Sequence, residues 1–61
     1  MQVGDLVIDS TAPLRYQLAI ILAKDFVTDI GTPFDYEVLY IASGKRWGAD
    51  DRSLEVVNES R

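Results

Sequence analysis

Side chains able to do covalent or acid–base chemistry are few in this 61-residue sequence, which has no histidine and no cysteine. Those absences remove the commonest general base, the usual nitrogen ligand for metals, disulfides and thiolate–zinc sites. A nucleophile would have to be Ser10, Ser43, Ser53 or a threonine, and each needs a base beside it. Lys24 and Lys45 stand in no context that would make either one a base. A pocket of enzyme size, roughly 300 Å³ or more, is also hard to enclose with so short a chain. The expectation is a protein without enzymatic activity and without a cofactor.

The acidic side chains Asp5, Asp9, Asp50 and Asp51 are of the type that holds calcium or magnesium. They lack calcium-loop spacing, and Asp50-Asp51 reads more simply as a turn and capping pair. No metal site is expected. Ten acidic against six basic side chains give a net charge of −4, which disfavours duplex nucleic acid as the main partner. Lys45-Arg46 is a local basic spot able to touch phosphate, although with a net negative charge a solvated hairpin tip is the preferred explanation. Pairs between Asp50-Asp51 and Arg46 or Arg52 would be exposed and worth only ~0–1 kcal/mol.

The remaining signal is aromatic and aliphatic. Tyr16, Phe34, Tyr36, Tyr40 and Trp47 come from segments that would converge in a small fold. Tyr36 and Tyr40 read as core packing, while Tyr16, Phe34 and Trp47 could line a cage or peptide groove. Leu39 and Ile41, joined by Ala19, Ile21 and Ala23 on the second face of a neighbouring strand, could form an apolar patch that marks a binding surface. The candidate partner-binding residues are therefore Tyr16, Phe34, Leu39, Ile41 and Trp47.

The elements that must position them centre on Asp35–Ala49. Tyr36, Val38 and Tyr40 alternate with Glu37, Leu39 and Ile41, a strand period, and a tight Ser43-Gly44 turn leads into a second strand. Five strands are predicted: Val3–Ile8, Gln17–Lys24, Tyr36–Ile41, Lys45–Ala49 and Leu54–Val57. A short helical turn is expected near Asp50–Ser53. Gly31 and Pro33 mark Val27–Phe34 as a loop, and Asn58–Arg61 should fray. Residues 14–26 are open to two readings, a strand or a helix capped near Thr11; the strand is preferred because a helix would turn Ile20 away from its apolar stripe. One domain spans residues 1–61, with stability of about 3–5 kcal/mol. The longest apolar run, Leu18–Ala23, is too short to cross a bilayer, and the N-terminus has no signal-peptide pattern. A complete small cytosolic gene product is expected.

Val3-Gly4-Asp5-Leu6-Val7, Tyr36-Glu37-Val38-Leu39-Tyr40, Ser43-Gly44-Lys45 and Asp50-Asp51 followed by Leu54-Glu55-Val56-Val57 stand in an order that resembles the Src-homology-3-like barrels, a group that includes KOW and Tudor modules. The same pattern resembles short proteins encoded by tailed bacteriophages, those of marine cyanobacteria among them. The resemblance implies an all-β, five-stranded Src-homology-3-like barrel. It further implies a protein-interaction or assembly part, bound to a virion or host protein, with self-association a further option. The alternatives are a KOW-like nucleic-acid-binding module using Lys45, Arg46 and Trp47, or an acidic mimic that occupies a nucleic-acid-binding protein. The proline-peptide motifs of signalling Src-homology-3 domains are missing, so that activity is not carried over.

Overall fold

A computed structural model describes residues 1–57. It is all-β: β1 (Leu6–Asp9), β2 (Leu18–Val27), β3 (Pro33–Tyr40), β4 (Lys45–Ala49) and β5 (Leu54–Val56). These form one antiparallel sheet in the order β4-β3-β2-β1-β5. The sheet is open, with β4 and β5 at its two edges. Single 3₁₀ turns occupy Leu14–Tyr16 and Asp51–Ser53. The strand expected over Gln17–Lys24 is present, shifted to Leu18–Val27, and of residues 14–26 only Leu14–Tyr16 takes a helical turn. Among the described residues no helix is long and apolar enough to cross a membrane. The expected fraying of Asn58–Arg61 lies outside the described residues.

Cross-strand partners share a face of a sheet, so the register separates two surfaces. The inner one carries Val7, Ala19, Ile21, Val38, Ala49 and Leu54, which form the buried core, with Met1, Tyr36, Tyr40 and Val56 packed against it. Alternation along β2 breaks at Leu22, where the register with β3 slips between Ile21 and Ala23. A residue inserted there reverses the inward parity for the rest of the strand. Asp25 follows with φ of 59°, a left-handed conformation that aspartate tolerates better than most residues. Both irregularities bend a strand that outruns its neighbours. Along β2, β1 covers only Leu18–Ile20, and along β3, β4 covers only Tyr36–Tyr40. The β2–β3 hairpin therefore projects as an arm, and the molecule measures 37 × 22 × 18 Å.

Several element boundaries differ from expectation for identifiable reasons. Pro33 starts β3 opposite Val27, the first-residue position that a missing N–H permits. The expected long loop 27–34 is thus a short one, closed by Thr28 N–H to Thr32 C=O at 3.0 Å and by Gly31 N–H to Thr28 C=O at 2.9 Å. Val3 is outside β1 because Gly4 turns the chain with φ of 96°, its N–H reaching Ile21 C=O at 2.8 Å. The β3–β4 connection is not a tight two-residue turn. It spans Ile41–Gly44, and the Gly44 N–H bonds to the Tyr40 C=O at 2.8 Å.

Candidate functional site

The aromatic part of the site is built by β2, β3 and β4. The rings of Phe26 and Phe34 stack at 6.4 Å, and Trp47 lies edge-on to Phe26 at 6.4 Å and tilted to Phe34 at 6.3 Å. These separations fall in the range of favourable aromatic pairs. Phe34 and Trp47 thus come together as expected, but their third partner is Phe26, not Tyr16. Phe26 carries little signal in the sequence, because the irregularities at Leu22 and Asp25 obscure the phase of its strand and Lys24-Asp25 separate it from the apolar run. Tyr16 sits on the first 3₁₀ turn, on the far side of Trp47. The two line a groove with Tyr40, Ala42, Lys45 and Arg46, and no carboxylate lines it. The trio is a packed cluster with one free flank, since Trp47 remains 54% exposed.

Gly48 makes this packing possible. A Cβ there would stand 2.1 Å from Cδ2 and 2.8 Å from Cβ of Phe34. The Phe34 ring occupies the space a side chain would take. Gly48→Ala should therefore displace Phe34 and lower stability by about 1–3 kcal/mol, read from urea denaturation; an unchanged midpoint would contradict the Phe34 placement.

The aliphatic part of the site lies on the outer face of the sheet. Leu6, Ile20 and Leu39 are successive cross-strand partners, and Ile8 pairs with Leu18. Ile41 adjoins them, its N–H bonded to Leu18 C=O at 3.1 Å. All six are half-buried or exposed, Leu18 at 40% and Ile41 at 46%. Arg46 borders this surface beside Leu39, and Glu55 borders it beside Ile8. Leu39 and Ile41 thus belong to a contiguous apolar surface, but not with the neighbours expected. Ala19 and Ile21 are completely buried and face the core. Their place is taken by Leu18 and Ile20, so the expected faces of β2 are inverted up to Ile21; past the slip, Ala23 pairs with Glu37 and lies on the outer face as expected.

Asp9 holds the loop that carries Tyr16. It is 3% exposed, and its carboxylate accepts hydrogen bonds from the Thr11 N–H at 2.9 Å, the Thr11 hydroxyl at 2.6 Å and the Tyr40 hydroxyl at 2.5 Å. Its own N–H bonds Gln17 C=O at 2.8 Å, and the Gln17 side-chain amide bonds Ala12 C=O at 3.0 Å. Burial disfavours the charged carboxylate, but the Thr11 and Tyr40 hydroxyls and the Thr11 amide outweigh it and hold Asp9 below its ordinary 3.8. Burial first, then the hydrogen bond to Asp9 and its negative charge, push the Tyr40 phenol well above its ordinary 10.0. The pair is a structural clamp from β1 to β3, with Thr11 bonded twice to one carboxylate oxygen and Tyr40 once to the other. Among the described residues no group of three or more metal-ligating side chains comes together.

Comparison with protein-family models, with curated proteins and with solved structures found no match.

Proposed function

We propose that this chain is a non-enzymatic interaction or assembly module of the Src-homology-3-like kind, and that its outer sheet face seats a protein partner. One observation carries the reading: the aliphatic surface of Leu6, Ile8, Leu18, Ile20, Leu39 and Ile41. An antiparallel sheet with a solvated face is normally polar on that face. Here both faces are apolar, and the second has a charged border at Arg46 and Glu55, the usual anatomy of a binding surface. The sequence pattern supports a setting in tailed bacteriophage, either as an accessory or decoration subunit of the virion or as a factor bound to a host protein in the cytoplasm.

The test is affinity capture from purified phage particles and from infected-cell extract, read by mass spectrometry. Leu18→Lys with Ile41→Lys should lose the captured partner by at least about tenfold, equivalent to ~1.4 kcal/mol, while the circular dichroism of the fold is kept. Capture of the same proteins by both chains, or of none by the wild type, would refute the assignment.

A second reading rests on the groove between Tyr16 and Trp47, where Lys45 and Arg46 meet three aromatic rings, Tyr40 included, with no lining carboxylate. That chemistry suits single-stranded nucleic acid, whose bases stack and whose phosphates attract cations. Binding to a short RNA that weakens steeply with salt would favour it; no gel shift at low salt would eliminate it.

A further inference from the structure

We infer that the free edge of β4 pairs antiparallel with the same edge of a second copy of this chain. β4 is the outermost strand on its side of the sheet, so its outer row of backbone donors and acceptors faces no strand among the described residues. An edge of this kind is a template for strand addition, which proteins usually blunt with charge. In this strand the charges are ordered. Lys45-Arg46 opens it, Trp47-Gly48-Ala49 completes it, and Asp50-Asp51 follows directly. The backbone remains extended through Asp50, with φ of −94° and ψ of 151°.

That order is antisymmetric about Gly48. Antiparallel self-pairing centred there sets Arg46 of each copy opposite Asp50 of the other, and brings Lys45 close to Asp51. Trp47 falls opposite Ala49, a large side chain against a small one. Cross-strand pairs of opposite charge stabilise a sheet, and like charges directly opposite destabilise it. In-register parallel pairing would place Lys45 on Lys45 and Asp50 on Asp50, so the charges select one orientation as well as one register. The opposite edge has no such match. β5 is three residues long, and centred antiparallel self-pairing would set Glu55 against Glu55. Pairing at β4 is isologous, closes at two copies, and would cover the flank of Trp47 that is 54% exposed. It uses neither the aliphatic face nor any partner that seats there.

The experiment is sedimentation equilibrium of the full chain from about 10 µM to about 1 mM, the range expected for so short an interface. Wild type should move from monomer toward dimer. Arg46→Asp alone sets two acidic side chains against each other at both contacts, and Asp50→Arg alone sets two basic ones; each should stay monomeric. An equimolar mixture of the two variants should dimerise at least as well as wild type, because every contact again joins opposite charges. The mixture guards against misreading an unfolded variant, since an unfolded chain would not be rescued by its complement. A wild type monomeric throughout would overturn the inference, as would single variants that dimerise undiminished or a mixture that does not associate. A monomeric wild type that still captures a phage or host protein through Leu18 and Ile41 would refute β4 pairing alone and leave the outer-face assignment standing.

Discussion

Ile21→Ala is expected to leave most of the protein unfolded at 25 °C. Ile21 is completely buried and is the largest fully buried side chain of the core. It lies opposite Val38 in the central pair of strands. Its N–H reaches Asp5 C=O at 3.0 Å, and its C=O receives Gly4 N–H at 2.8 Å, so the same residue fastens the N-terminal turn. Removing its branched side chain costs about 2–5 kcal/mol, from lost transfer energy and from the cavity left behind. A domain of this size has only about 3–5 kcal/mol to lose. The neighbouring substitution Ile20→Ala provides the contrast. Ile20 is half-buried on the outer face between Leu6 and Leu39, where no closed cavity forms, and it should cost under about 1.5 kcal/mol. Urea titration followed by the fluorescence of the single tryptophan separates the two. Equal losses would mean that the faces of β2 are wrongly assigned.

Asp9→Ala should cost about 1–3 kcal/mol, because it strands the Tyr40 hydroxyl and the Thr11 amide without their acceptor in a part-buried site. The clamp also predicts how stability depends on pH. The Asp9 carboxyl is held below its ordinary value, so the unfolded chain takes up the proton first as the solution is acidified. The stabilisation from Asp9 is complete above about pH 4 and is lost as pH falls through the lowered folded value. The Tyr40 phenol is raised, so the unfolded chain loses that proton first in alkali. Its contribution is complete below about pH 10 and drains away above it. Asp9→Asn keeps the shape and removes the titrating charge. Its urea midpoint should fall less steeply than that of the wild type between about pH 4 and pH 2.5. Parallel slopes for the two proteins over that interval would exclude Asp9 as the acid-sensitive group. Because Asp9 also organises the turn before Tyr16, loss of the clamp should loosen the Tyr16 side of the groove while leaving the Phe26–Phe34–Trp47 cluster intact.

Strand identity was legible because it depends on local pattern: alternating apolar and polar residues in β3, a short apolar run in β1, and Gly31 and Gly44 where the backbone takes positive φ. Tyr36 and Tyr40 were readable as packing residues, and Trp47 with Phe34 as neighbours, since antiparallel order leaves few other places for them. What escaped were features decided by one residue out of phase. The inserted position at Leu22 inverts the parity of β2 beyond it, and no single residue type announces such an insertion. The inward turn of Ala19 and Ile21 follows from pairing with Val7, Tyr40 and Val38, partners far away along the chain. The Asp9–Tyr40 clamp is likewise invisible in one dimension, because a buried carboxylate and a surface carboxylate have the same letter.

By itself the sequence determined that this chain is all-β, that it carries no histidine or cysteine chemistry, and that it has more apolar side chains than one small core needs. Only the tertiary structure decided which of those side chains are hidden and which face outward. In a strand, successive residues point to opposite sides, so a slip of one position exchanges the core for the surface. Which phase is adopted is set by the partner strands, and their pairing exists only once the chain has folded.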